Sequence, residues 1–263
     1  MSDMEQARRN RTDAMISLPD FIIIGAQKSG TSSLFSYFNQ HPEIMLPREK
    51  ELHFFDYNYS NGIQWYKSQF PIFPPQSNYI TGEASPYYFY HPLAAKRIFD
   101  HLPWVKLIVL LRDPADRAYS HYQMLRMKEV EPLLCFEDAI IQEEERLAGE
   151  NEKLINDPTY YSFNHQSFSY LNRGLYYKQL NQWLTLFKPE QFLVIRSEDF
   201  FSNPETELLR VYQYLDVRIK FPDDYTPVNR GAYKPMKHCT RVMLDDFFSE
   251  DQKALDGLLK KII

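Results

Sequence analysis

The sequence predicts an α/β fold with a central parallel sheet and helices on both faces. Three observations carry this. The apolar runs Phe21–Ile24, Val105–Leu111 and Phe192–Ile195 are short and unbroken rather than alternating, the pattern of strands buried on both sides. Segments with helical spacing separate them, and strands alternating with helices imply parallel pairing. Glycine is scarce, 8 in 263 residues, yet Gly25 and Gly30 fall five apart directly after the first run.

In chain order, residues 1–17 have mixed charge and no periodicity, so they read as a flexible tail before one domain over 18–263. Leu34, Phe35 and Phe38 share one face of a helix from Ser32 to Asn39, which His41-Pro42 ends. Residues 56–80, rich in Asn, Tyr, Pro and Ser, read as an irregular surface segment with a short helix around Trp65. Asp113-Pro114 opens a helix through about Met127, with Asp as N-cap and Pro in the first turn. Cys135–Leu147 reads as a helix whose Glu143, Glu144 and Glu145 form a solvated face. Residues 149–166 read as a mobile loop. Tyr176, Leu180, Trp183 and Phe187 line one face of a helix over Gly174–Phe187. Asn203-Pro204 starts another helix, ending near Leu215, and the final 25 residues are amphipathic.

Composition narrows the function classes. The chain is 44% apolar and 25% charged, the mix of a soluble globular protein. A net charge of -5 argues against general nucleic-acid binding, so any anion must be held by a local basic pocket. Two cysteines, Cys135 and Cys239, exclude a disulfide scaffold and a multi-cysteine zinc site. No apolar run approaches the roughly 20 residues of a membrane helix. The polar N-terminus has no secretory core, so a cytoplasmic location without a membrane span is expected.

The loop Gly25-Ala26-Gln27-Lys28-Ser29-Gly30-Thr31-Ser32 sits between a strand and a helix, the P-loop-like arrangement that cradles phosphate. Glycine allows the tight turn, and the helix start offers free N–H groups and a positive dipole end. Thr31 and Ser32 add hydroxyls and Lys28 a cation. In the nucleoside-triphosphate loop a lysine follows the second glycine. Here Thr31 follows Gly30, and no strand-end aspartate is evident for magnesium. The pattern suits phosphate held without a metal. A second element, Arg112 to Ser120, places Arg112 at the carboxyl end of a strand, where open α/β sheets bind ligands. Arg112 with Ser120 can grip a second phosphate, and Arg117 reads as tying down a helix carboxylate.

These residues resemble a known family. Gln27 to Ser32 is similar to the 5′-phosphosulfate loop of sulfotransferases that use 3′-phosphoadenosine 5′-phosphosulfate, and Arg112 to Ser120 is similar to their 3′-phosphate motif. Lys50-Glu51-Leu52-His53-Phe54-Phe55-Asp56 resembles the E-x-H-F-F-D signature of the heparan sulfate branch. Gly82 to Tyr88 resembles that branch's E-K-[ST]-P-x-Y. The resemblance runs from about residue 19 to near the C-terminus and points to a bacterial-type relative. It implies that Gln27, Lys28, Ser29, Gly30, Thr31 and Ser32 hold the phosphosulfate. Arg112 and Ser120 would hold the 3′-phosphate, with Arg230 and Gly231 in a late basic loop as further candidates. Ala84 stands where many relatives carry a lysine, which counts against a glycosaminoglycan acceptor.

Sulfuryl transfer is an in-line displacement that leaves adenosine 3′,5′-bisphosphate, and the resemblance implies no metal. Lys28 would stabilise the oxygen that gains charge. Glu51 would be the general base toward an acceptor hydroxyl, on a saccharide or small molecule, with His53 as second candidate or as hydrogen-bonded scaffolding. A P-loop nucleotide kinase and a non-catalytic nucleotide-binding module are the alternatives.

Overall fold

A computed structural model describes residues 18–74, 77–229 and 231–262. The expected tail over 1–17 lies outside them. Five parallel strands form the sheet: β1 (Phe21–Gly25), β2 (Ile44–Met45), β3 (Ile80–Ala84), β4 (Lys106–Leu111) and β5 (Phe192–Arg196), in the order β2-β3-β1-β4-β5. Among the described residues, the helices of eight or more residues are α1 (Thr31–Phe38), α2 (Ala94–His101), α3 (Pro114–Met127), α4 (Tyr176–Leu184), α5 (Pro204–Leu215) and α6 (His238–Ile262).

Strand β1 is central and wholly buried because its side chains feed two cores. Ile22 and Ile24, with Leu107 and Val109, pack under α2, α4 and the end of α6. Phe21 and Ile23, with Ile108 and Leu110, pack under α1 and α5 on the other face. Each such side chain contributes about 1.5–3 kcal/mol, which explains unbroken apolar runs in the three strands that the sequence discloses. Gly82 lies opposite Phe21 in the ladder, and a Cβ there would meet the Phe21 ring at 2.4 Å. A third cluster joins α3 to Phe136, Tyr170 and α6.

Several expectations change. Strand β3 was unmarked because its sequence, ITGEA, carries glycine and a buried glutamate. The helix expected over Cys135–Leu147 is two short helices, Phe136–Ile141 and Glu143–Leu147. Glu143 is not on a solvated face. It is buried and accepts from the Leu171 and Asn172 amides at 2.6 and 2.9 Å, and those bonds offset the cost of burying it.

The segment 149–166 is not a loose loop. It holds helices Glu150–Asn156 and Phe163–Ser167, anchored by buried Glu150, which accepts from Tyr160 Oη at 2.9 Å and from Ser162 Oγ. Ser162 in turn caps the second helix by accepting from the His165 amide at 3.0 Å. Among the described residues, no helix is long and apolar enough to cross a membrane.

Candidate functional site

Topology places the site. The chain leaves β1 toward β3 on one side and later returns to β4 on the other. The crevice beyond the carboxyl ends of β1 and β4 is therefore a topological switch point. The loop holding Lys28 follows β1, and Arg112 follows β4. They open on one cleft of about 740 Å³, a nucleotide-sized space. Gln27, Lys28, Gly30, Thr31, Ser32, Glu51, Arg112, Ser120 and Gly231 all line it. Ser29 and His53 do not: Ser29 is buried within the loop, and His53 sits behind Glu51. Arg230 falls outside the described residues.

The loop is held from three directions. Arg112 Nη1 donates to the Lys28 carbonyl at 3.4 Å, and Ser197 Oγ to the Ser29 carbonyl at 2.6 Å. Buried Arg173 donates from Nη1 to Gln27 Oε1 at 2.8 Å. Two carbonyls are thus engaged by side chains; the Ser33 and Leu34 amides close on the Gly30 carbonyl, which leaves those of Thr31 and Ser32 at the cleft as donors. Gly30 has φ 101°, which favours glycine, and a Cβ there would also crowd the Phe201 ring at 3.0 Å. Burial lowers the Lys28 pKa, and the charges of Arg112, Lys128 and Arg117 lower it further. Cations that repel one another around an open cleft are relieved by an anion, so these residues fit a phosphate- and sulfate-bearing nucleotide.

Glu51 belongs to a second construction. Its amide donates to the Ala84 carbonyl at 3.1 Å, which hangs the motif on the end of β3. The carboxylate, 43% exposed, meets Lys50 Nζ at 2.5 Å and His53 Nε2 at 3.4 Å. His53 Nδ1 meets buried Asp56 Oδ2 at 2.6 Å. The three side chains form a line, Asp56–His53–Glu51. Burial pulls the His53 pKa down, but the bonds to Asp56 and Glu51 outweigh it and raise it to about 9. Burial pushes Glu51 up, while the His53 hydrogen bond and the Lys50 charge bring it down to about 2. At neutral pH His53 is a charged donor with no lone pair for a proton, and Glu51 is ionised.

Glu51 and His53 both have left-handed backbone, φ 63° and 51°. A buried network behind them imposes it. The His53 amide donates to Ser85 Oγ at 3.2 Å, and the Phe54 amide to Tyr88 Oη at 2.8 Å. Ser85 and Tyr88 both donate to fully buried Glu83, at 2.7 and 3.1 Å, as does Tyr66 at 2.7 Å. Burial raises the Glu83 pKa to about 7 despite these bonds. Sequence reasoning had quoted Glu83 only as part of a motif, and it missed Lys128 and Ser197, which also line the cleft. Phe54 and Phe55 are core. Arg117 is corrected: it is fully buried and donates to the Tyr170 carbonyl, not to a helix carboxylate.

A strand–loop–helix turn lined by cations at a switch point has the form of an anion cradle in an open α/β sheet. Residues 18–242 match the family model for the sulfotransferase domain, and the chain belongs to that family. It is 31% identical to a sulfotransferase from Alicyclobacillus acidocaldarius of known structure, with TM-score 0.77, covering 93% of this chain and 97% of that one. It is 29% identical to the membrane-associated sulfotransferase kil1 of Dictyostelium discoideum, over 94% of this chain and 66% of that protein. It is 34% identical to human heparan sulfate glucosamine 3-O-sulfotransferase 5, over 87% of this chain and 62% of that protein. The chain thus spans less than two thirds of the length of these curated relatives.

Proposed function

We propose that this protein transfers a sulfuryl group from 3′-phosphoadenosine 5′-phosphosulfate to an acceptor hydroxyl. The observation that carries the reading is that Lys28, Arg112, Ser120 and Glu51, drawn from three separate motifs, line one nucleotide-sized cleft. In this reading Lys28 and the α1 amides hold the phosphosulfate, and Arg112 with Ser120 holds the 3′-phosphate. The bond from the acceptor oxygen to sulfur forms as the bond from sulfur to the bisphosphate oxygen breaks. The acceptor proton passes to Glu51, and Lys28 meets the charge that grows on the leaving oxygen.

The charge states favour Glu51 over His53 as proton acceptor, since His53 is held protonated between two carboxylates. His53 then orients Glu51, as Asp56 orients His53. The test pairs calorimetry of adenosine 3′,5′-bisphosphate with transfer of labelled sulfate from the donor to a panel of alcohols. Binding together with labelled product is expected. A protein that neither binds the bisphosphate nor competes for the donor would overturn the reading.

A further inference from the structure

We propose that Tyr57 and Tyr161 form a rigid platform for an uncharged sugar ring, so that the acceptor is a neutral saccharide. This rests on the reading of Glu51 as the base. Tyr57 lies flat on His53, with ring centroids 4.5 Å apart and 24° between planes, and His53 reaches Glu51 at 3.4 Å. The platform therefore begins one ring away from the carboxylate that would take the acceptor proton. Tyr161 meets Tyr57 edge-on at 5.4 Å. Tyr57 is 38% exposed and Tyr161 47%. Both rings lie outside the lining of the nucleotide cleft, on the His53 side of Glu51, and keep part of their surface open to water.

The platform is built rather than incidental. Tyr160 and Ser162, on either side of Tyr161, both donate to buried Glu150. Buried Arg97 joins the two halves. It donates from Nη1 to the Phe55 and Asp56 carbonyls at 3.1 and 2.5 Å, and from Nη2 to the Pro158 carbonyl at 2.8 Å. Rings fixed in advance bind without paying for their own ordering.

Local charge selects the occupant. Glu51 and Asp56 are negative, while Lys50 and His53 are positive and already paired to them. Arg97 is spent on carbonyls. An acidic acceptor gains no net attraction from these groups, whereas the apolar C–H face of a neutral pyranose packs against tyrosine rings and leaves its hydroxyls to hydrogen-bond.

The test measures labelled sulfuryl transfer to three sets of acceptors. These are neutral oligosaccharides (cello-, chito- and manno-oligosaccharides), acidic ones (heparosan and chondroitin fragments) and non-sugar alcohols (1-octanol, 4-nitrophenol). Neutral saccharides are expected to take most label. Tyr57→Ala and Tyr161→Ala should each raise the acceptor KM about tenfold, with a smaller fall in kcat for Tyr57→Ala because that ring stacks on His53, while Tyr57→Phe, which keeps the ring, should recover most of the KM. Both alanine variants should still unfold cooperatively, with a lowered melting temperature from the lost ring contacts, and bisphosphate affinity should not move. Preference for the acidic set or the non-sugar alcohols would overturn the proposal. So would bisphosphate binding with no labelled saccharide, or an unchanged KM in both folded alanine variants. Failure of the unmutated protein to bind bisphosphate would instead overturn the donor reading beneath it.

Discussion

Lys28 and Glu51 face the same cleft, but the chain brings them there by different means. The half around Lys28 is one strand, one loop and one helix in unbroken sequence, and its donors include backbone amides. The half around Glu51 is assembled from residues 50–57, β3 and its following turn, and the segment 149–166. Buried Glu83, Arg97 and Glu150 hold those pieces together. A site carried by the main chain changes only when the fold changes. A site carried by side-chain networks can be retuned one residue at a time. In this reading the invariable part of the reaction sits on the first construction and the choice of acceptor on the second.

Substitutions in the two halves should therefore have separable effects. Glu51→Gln should lower kcat by about 10²–10⁴-fold, with bisphosphate affinity by calorimetry near wild type. Full activity would remove Glu51 from the reaction. Lys28→Ala should lower kcat by about 10²–10³-fold in single-turnover assays. Arg112→Ala should weaken bisphosphate binding about 10–100-fold while leaving acceptor KM in place, since it removes a charge-assisted grip on one side only. Arg97→Ala should act on the other side. It should cost about 1.5–3 kcal/mol in chemical denaturation and raise acceptor KM without touching bisphosphate affinity.

The smallest effect is one of pH. His53 gains its proton partners on folding, and its pKa rises from 6.5 to about 9. The stability from its two ion pairs is therefore complete below about pH 6.5 and lost as pH climbs through 9. The melting temperature should fall across that window, and His53→Gln should flatten the fall.

The two constructions also differ in how far they can be read without a structure. Gly25 to Ser32 and Arg112 to Ser120 are local: each is a strand end with its following turn, and β1 and β4 announce themselves as apolar runs. Eight of the cleft-lining residues named from those and the other motifs lie in described segments with the side chain or backbone at the cleft, and Glu51 joins them. What stayed hidden is what acts at long range. Glu83 looked like one polar residue in a motif, because nothing in the sequence reveals that Tyr66, Ser85 and Tyr88 converge on it. The segment 149–166 looked loose because its polar residues are those that elsewhere face water. Here Glu150 and Ser162 face inward and satisfy each other. Arg173, buried over Tyr87 and Tyr90, gave no sign that it fixes Gln27 146 positions earlier.

The left-handed backbone at Glu51 and His53 has a consequence for how this protein can evolve. Side chains other than glycine pay for that conformation, roughly 1–2 kcal/mol each. Glycine or asparagine at either position would relax the turn but would forfeit the Asp56–His53–Glu51 ion pairs. The strained turn and the charged line are therefore coupled: the ion pairs that ready Glu51 also offset the backbone cost of the conformation that presents it, so neither position can be relaxed without loss on both counts.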